Sequence, residues 1–528
     1  MPADAKSKLT SEPQDIENTL YCGAYQVAAY TFFQACCFSL AANMAYMLYA
    51  GFEPKWTCEM EDASNRSNVS LENQCELFES GRCSNLTWHD VYFYPIVVEW
   101  GLICSKRSII YIMMTIHMVG LLIGAPVIAQ MSDSYGRRPA AMFASGGQLI
   151  AGVSAGFTQR WEVLATCLFL TGFFGGGLGA IISVYLVENI GQKHRLLLFS
   201  VAGFNIGLLY AVLVAFLTQH WRLLIICSNS IGLLAFVVMG LLKETPRWLV
   251  QSGKDVEARK AYLRILRVNR RMRHRLNTNE WEAVVEGTKR AVVKKRSFWH
   301  LFGSVKLARY TLVMSFSLFS LSSVSTTLLY SLGDLSGNIY LNSTVYSLIR
   351  WGIAVAASLI DRCVPSMGRR HIIVTCTFIV VLCHIGLTVC EFLGVVMPKL
   401  TVSLVFAAAA ATSPIWNSIN LVLVELYPTS MRSLAPGFMS IFIRAASGFA
   451  PQLLYLARMW KPGPWFVNMI LSACFLLAFM MTIPETKGKA LPEEESTERK
   501  ISDGKTMDRR QSLQKVEEEA ERSMLITQ

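Results

Sequence analysis

The sequence predicts an all-α membrane protein of twelve transmembrane helices arranged as two six-helix bundles. Three observations carry that reading. Charged residues make up 16 % of the 528-residue chain and apolar residues 53 %, whereas soluble domains carry roughly 25 % charged residues. The apolar residues fall into runs near the ~20 residues a helix needs to cross a bilayer. These lie at 21–50, 108–131, 139–158, 162–187, 196–217, 221–243, 309–332, 342–360, 371–393, 399–425, 433–457 and 464–483. A short basic turn also recurs in each half. Met131-Ser-Asp-Ser-Tyr-Gly-Arg-Arg-Pro139 separates the second run from the third, and Met367-Gly-Arg-Arg-His371 stands before the ninth. A half-repeat of this kind points to a transporter built from two related bundles.

The elements follow in order. A polar, mildly acidic leader at 1–20 precedes a long first run, which reads as a retained helix rather than a cleaved signal. Runs one to six form a first bundle at 21–243, with a large loop at 52–107. A linker at 244–308 leads to a second bundle at 309–483. The polar tail at 484–528 is expected to be disordered, with a short helix near Leu513–Met524. The net charge of +12 is placed unevenly. Lysine and arginine crowd the linker, as in Arg259–Lys260, Arg270–Arg271 and Lys289–Arg290, while Glu53, Glu59, Glu61 and Asp62 make the loop acidic. The positive-inside tendency puts the linker, both Gly-Arg-Arg turns and both termini in the cytoplasm, a parity that twelve spans satisfy. Within the linker, Ala258, Tyr262, Ile265 and Met272 share one helical face, so an amphipathic helix is expected beneath the bundle. A basic linker between membrane spans does not suggest a nucleic-acid partner.

The 52–107 loop carries its own sign of lying outside. Cys58, Cys75, Cys83 and Cys104 are an even set suited to an oxidising compartment, and two disulfides are expected in one of three pairings. Three glycosylation acceptors, Asn65, Asn68 and Asn85, share the loop. A fourth, Asn342, opens a span too close to the membrane for use. These features suit a glycoprotein of the plasma membrane.

Seven blocks resemble the organic cation, anion and carnitine transporter family, solute carrier family 22, of the major facilitator superfamily. They are Trp100-Gly-Leu-Ile-Cys104, Ser132-Asp-Ser-Tyr-Gly-Arg-Arg138, Glu188-Asn-Ile-Gly-Gln-Lys-His-Arg195 and Glu244-Thr-Pro-Arg-Trp-Leu249 in the first half. The second half adds Ser336-Gly-Asn-Ile-Tyr-Leu-Asn342, Glu425-Leu-Tyr-Pro-Thr-Ser-Met-Arg432 and Pro484-Glu-Thr-Lys-Gly-Lys-Ala-Leu-Pro492. The resemblance implies the major facilitator superfamily fold and alternating access. It also implies a cytoplasmic gate drawn from Asp133, Gly136, Arg137, Arg138, Glu188, Arg195, Glu244 and Arg247, then Gly368, Arg369, Arg370, Glu425 and Arg432. In that family's pattern the first turn holds the inner gate shut against the start of the eleventh helix.

Substrate chemistry is read from charges at mid-membrane depth, where an arginine costs roughly 2.5–3.5 kcal/mol on insertion scales. Arg350 and Arg444 each lie about halfway along a predicted span, while Asp334, Glu391 and Glu425 fall near span ends. The expected cavity is net positive, and a carboxylate suits the planar fork of a guanidinium. By resemblance, Arg444 falls where anion and carnitine members have arginine and cation members have aspartate. Arg350 falls where most members have an acid. Phe316, Phe319 and Tyr330 on the seventh span offer aromatic surface, and Asn43, Tyr46 and Tyr185 are first-half candidates to face the cavity. His117 and His384 are either proton relays or packed core histidines. Departures from the family pattern include Ser325-Thr326 in place of tyrosines, Leu168 in place of an arginine, and Ala129 and Ser134 in the first turn.

The expected function is alternating-access transport of small organic anions or zwitterions such as carnitine. An organic-cation carrier is the rival within the class, and a transporter-like receptor or scaffold the rival outside it. An enzyme is disfavoured, because no metal cluster, nucleophile elbow or phosphate loop is evident. Gly175-Gly-Gly-Leu-Gly179 lacks a lysine-serine sequel and sits inside a span, where small residues permit close packing. No cofactor or metal is expected. The partners are a small organic ion, the lipid bilayer, and a coupling ion or counter-substrate left open.

Overall fold

The computed structural model describes residues 23–59, 71–81, 83, 85–89, 91–190, 203–270, 278–290, 298–363, 368–394, 397–427, 431 and 434–486. Among these, twelve helices occupy the positions of the predicted spans. In the first half they are α1 (Ala24–Ala50), α2 (Ser108–Tyr135), α3 (Arg137–Ala155), α4 (Trp161–Asn189), α5 (Phe204–Thr218) and α6 (Trp221–Leu241). In the second they are α7 (Val305–Tyr330), α8 (Ile339–Cys363), α9 (Arg369–Phe392), α10 (Pro398–Leu426), α11 (Leu434–Met459) and α12 (Gly463–Thr482). Nine are long and apolar enough to cross a membrane on composition alone. The other three are α5, which is short, and α3 and α11, which are less apolar along their length.

Glycines decide two features of the first bundle. Gly136 has φ +113° and joins α2 to α3 without an intervening loop; a Cβ there would lie 2.5 Å from Glu244 Oε2. The glycine-rich face of α4 packs directly on α2. A Cβ on Gly124 would sit 1.8 Å from the Phe173 carbonyl oxygen, and one on Gly172 would sit 2.2 Å from that of His117. Only glycine lets the two backbones approach so closely, which is the packing role expected for this stretch.

Helix packing repeats between the halves. In the first bundle α1 packs on α5 and α6, and α3 on α4 and α6; in the second α7 packs on α11 and α12, and α9 on α10 and α12. The bundles meet through α2 with α11 and α5 with α8, two pairs that interchange when each number is shifted by six. That is the signature of two related units about a pseudo-two-fold axis.

The 52–107 loop folds into an antiparallel pair, β1 (Lys55–Glu59) with β2 (Asn85–His89), and a helix at Leu71–Glu79. Its cysteines pair as Cys58–Cys83 and Cys75–Cys104, selecting one of the three pairings. Asn65 and Asn68 lie outside the described residues, as does the side chain of Asn85. Asn342 is buried in α8, where its amide donates to the Ser336 carbonyl.

In the linker, Pro246–Gln251 is capped by Thr245, and Asp255–Val268 buries Ala258, Ala261, Tyr262, Ile265 and Leu266. A third helix, Thr278–Arg290, packs Trp281 on Tyr262. Asn269 ties the linker to the start of α1, donating to Gln26 Oε1 at 2.8 Å and accepting from the Tyr25 N–H at 2.9 Å. Met272 and the tail helix expected near Leu513–Met524 lie outside the described residues.

Contacts between the bundles gather at the end that carries the disulfide loop. Tyr340 on α8 donates to the Tyr92 carbonyl at 3.2 Å, and Arg458 on α11 donates to the Cys104 carbonyl at 2.7 Å. Arg458 also pairs with Glu53 at 3.5 Å, and the rings of Tyr49 and Tyr340 stack 6.0 Å apart.

Candidate functional site

The first bundle holds a small pocket at mid-helix depth, largely apolar with a few polar groups. Its cavity volume is about 70 Å³, lined on the first bundle's side by Leu40, Asn43, His117, Gln148 and Thr171, and closed from the second bundle by Arg444. Arg444 reaches across from α11 until its Nη2 lies 3.5 Å from where a Cβ on Gly179 would stand. Among the described residues, no hydrogen bond or ion pair reaches this guanidinium.

The neighbours of Arg444 divide into satisfied and unsatisfied groups. Asn43 is satisfied: its amide exchanges hydrogen bonds with Asn229 on α6 at 2.9 and 3.1 Å. Thr171 donates to the Cys167 carbonyl one turn back. His117 places Nδ1 3.0 Å from the Leu168 carbonyl oxygen, which can only accept, so Nδ1 carries the proton. Its Nε2 is buried and unpartnered, as is Nε2 of Gln148, which is 2 % exposed. A guanidinium and an amide N–H₂ therefore offer donors with no acceptor among the described residues. Unmet donors of this kind are costly until something accepts from them.

The other predicted substrate residues lie elsewhere. Arg350 was expected beside Arg444, but its Nη1 donates to Tyr346 Oη at 3.1 Å and Thr412 Oγ1 at 3.2 Å. Its guanidinium also covers the Tyr346 ring at 5.3 Å, so it is held between α8 and α10 inside its own bundle. Phe319 packs on Phe449 of α11, Phe316 lies half-buried against the core, and Tyr330 is buried where α7 ends. Tyr46 is buried in the core of the first bundle. Tyr185 donates to the Lys243 carbonyl at 2.9 Å, near the Gly-Arg-Arg end of the bundle. His384 is buried in α9 with Nδ1 on the Val380 carbonyl. Gln148 was missed. The signal that flagged Asn43, an amide in mid-span, applies equally to it.

The two Gly-Arg-Arg turns form matching clusters. In the first, Arg137 pairs with Asp133 and, at 3.4 Å, with Glu188, which also accepts from Thr245 Oγ1 at 2.6 Å. Glu244 accepts from the backbone N–H groups of Arg137 and Arg138 at 3.0 and 2.9 Å, capping the start of α3. Burial pushes the Glu244 carboxyl up, against the pull of the backbone N–H groups it accepts from. Arg138 donates to the Gly240 carbonyl at 2.7 Å, closing the end of α6.

In the second cluster, Arg369 pairs with Glu425 and, at 3.4 Å, with Asp361. Glu485 accepts from the N–H groups of Arg369 and Arg370 at 3.0 and 3.1 Å, next to Gly368, and Arg370 donates to the Met480 carbonyl at 2.7 Å. Asp361 thus keeps the role of Asp133 despite its longer spacing from the turn. Glu485 fills the place of Glu244, a role the sequence reading did not assign. Arg247 lies in the short helix Pro246–Gln251; Arg195 and Arg432 lie outside the described residues. The expected lock between the first turn and α11 is not what these pairs make, since each cluster stays within its own bundle.

Known proteins agree with this architecture. The sugar (and other) transporter family matches residues 28–497. Solute carrier family 22 member 16 of Xenopus laevis is 27 % identical, covering 85 % of this chain and 85 % of its own. Organic anion transporter 3 of Sus scrofa is 27 % identical over 81 % of this chain and 77 % of its own. An uncharacterized protein of Caenorhabditis elegans, F23F12.3, is 25 % identical over 87 % and 93 %. Among solved structures, the inward-open xylose transporter XylE of E. coli superposes with a TM-score of 0.62 at 17 % identity, covering 88 % of this chain and 98 % of that one. The chain belongs to the sugar (and other) transporter family of the major facilitator superfamily, as a multi-pass membrane transporter of the solute carrier family 22 kind and not an enzyme.

Proposed function

We propose that the chain carries small organic anions, or zwitterions that present a carboxylate, by alternating access across the plasma membrane. The observation behind this is Arg444: a cation at mid-helix depth with no acid beside it among the described residues, facing an unpartnered Gln148 amide. A substrate carboxylate supplies the missing acceptor to both groups and neutralises a charge that is expensive at that depth. Carnitine fits through its carboxylate. A plain cation meets repulsion instead. His117 Nε2 is an acceptor in the neutral ring, so it takes an N–H or O–H of the substrate, or a coupling proton, beside Arg444.

Positive-inside placement puts the Gly-Arg-Arg turns, the linker and both termini in the cytoplasm, and the disulfide loop outside with glycans at Asn65, Asn68 and Asn85. With that orientation, the joining of the bundles at the loop end favours an inward-facing state. In the opposite state the contacts of Tyr340 and Arg458 break and the two turn clusters come together.

The test is radiolabelled uptake in cells expressing the chain, with a carboxylate panel, carnitine and a quaternary ammonium ion side by side. Arg444→Ala at matched surface expression completes it. Carboxylate or carnitine uptake that collapses in the variant supports the reading. Cation uptake indifferent to Arg444 makes this a cation carrier, and no uptake at all favours a receptor-like role.

A further inference from the structure

A second pocket, separate from the Arg444 cavity, lies where α6 ends and the linker begins. It opens between Arg138 and Pro139 of α3, Lys243 and Glu244 after α6, and the linker helix Asp255–Val268, with a cavity volume of about 470 Å³. Its charged groups are not equally available. Arg138 is spent on the α6 carbonyls and Glu244 on the start of α3. That leaves Lys243, Lys254, Lys260 and Arg264 against the single carboxylate of Glu257. None of the four forms an ion pair among the described residues. Lys254 holds its ammonium 5.6 Å from the centre of the Trp248 ring, which leaves its donors free.

The surroundings say where a matching anion comes from. The face of α6 leading down to this pocket is apolar and exposed: Leu233 is 55 % exposed, Val237 50 % and Leu241 72 %. Nothing lies within 4 Å of a Cβ placed on Gly240. In a membrane transporter such a face meets acyl chains. The basic groups begin two residues beyond Leu241, where a spanning helix leaves the hydrocarbon. A ligand with chains along α6 and phosphates in the pocket satisfies both halves of the site.

We propose that this pocket binds the phosphorylated headgroup of an anionic membrane lipid, with its acyl chains against the outer face of α6. The phosphate oxygens accept from Lys243, Lys254, Lys260 and Arg264. Because Lys243 directly follows α6 and the other three lie at or on the linker helix Asp255–Val268, the lipid pins the linker to the first bundle. The site does not depend on which solute the central cavity takes, so its failure and the failure of the carrier reading are separate results.

The test is native mass spectrometry of the full chain in mild detergent. The probes are phosphatidylinositol 4,5-bisphosphate, phosphatidylcholine and the soluble headgroup inositol 1,4,5-trisphosphate. The wild type is expected to retain the bisphosphate lipid in preference to phosphatidylcholine. Lys260→Glu with Arg264→Glu, both on the exposed side of the helix, should lower that retention roughly tenfold or more. Arg267→Glu, exposed on the same helix outside the pocket, should leave it unchanged. Lys254→Ala removes one cation without reversing a charge and should give a smaller loss, which keeps the test valid if the double variant folds poorly. Equal retention of phosphatidylcholine, or equal retention by wild type and both pocket variants, overturns the proposal. So does binding of the soluble trisphosphate as strong as that of the lipid, because the site would then serve a soluble anion.

Discussion

Arg350 and Arg444 are the same residue type at similar depth in two spans of the second bundle, yet they stand in different electrostatic conditions. Arg350 is 6 % exposed and its Nη1 rests on Tyr346 and Thr412, so its own bundle supplies two acceptors to the guanidinium, while its Nε stays unpartnered. Arg444 crosses to the other bundle and meets no acceptor among the described residues. A charge at mid-membrane depth is expensive in both places. One is partly met by hydroxyls of its own bundle, and the other, on the proposed reading, is left for whatever enters the cavity. On the proposed reading the difference separates a structural charge from a binding one, and depth alone does not make that distinction.

Substitutions can break or sharpen this contrast. The largest effect is expected from Arg444→Ala: carboxylate kcat/KM should fall by roughly a hundredfold, the usual scale for truncating one side of a buried charge pair, while the thermal melt stays near wild type. Arg350→Met should show the reverse, a lower melting temperature with substrate KM little changed. If both arginines change KM alike, the contrast fails.

The turn clusters give the next largest effect. Arg137→Ala strands Glu188, whose side chain is 7 % exposed, and should cost about 3–5 kcal/mol of stability. Arg369→Ala leaves Asp361 at 14 % and Glu425 at 26 % exposure, nearer to solvent, so its loss should be smaller. Melting curves of the two variants side by side check the order. A smaller effect follows at Gln148. Gln148→Leu removes one unpartnered donor and should raise the carboxylate KM about fivefold, the worth of one hydrogen bond of about 1 kcal/mol. A stabilised protein with unchanged KM would mean that Gln148 never touches substrate.

The smallest effect is a pH dependence at the loop end. Burial pushes the Glu99 carboxyl up, but hydrogen bonds from Arg222 and the Trp221 indole outweigh it and hold the group below its usual range. A depressed folded pKa gives stability that is present above the unfolded value and lost as pH falls through the folded one. Glu99→Gln should therefore flatten the acid side of the melting-temperature profile below the ordinary carboxylate range. A profile as steep as wild type would place that limb elsewhere.

The twelve spans were legible because bilayer thickness fixes helix length, and the repeat was legible because each turn needs its own glycine and arginines. Arg444 was legible as a charge where charges are costly. Arg350 looked the same, because one of its partners, Thr412, lies on another helix 62 residues away. The cysteine set was legible but its pairing was not, since pairing depends on how β1, β2 and the helix at Leu71–Glu79 bring the four together. Glu485 stood within a recognised block, yet its role needs α9 and α12 side by side, which periodicity does not reveal. Tyr46, Tyr185, Phe316, Phe319 and Tyr330 show the converse: an aromatic residue inside a span is more often packed than presented.

The most direct test is transport by the purified chain in proteoliposomes of a labelled carboxylate and its methyl ester, a near-isostere without the charge. The account predicts saturable uptake of the acid, little saturable uptake of the ester, and loss of that preference in Arg444→Ala. Equal transport of acid and ester, or a preference for the acid that survives without Arg444, would contradict it.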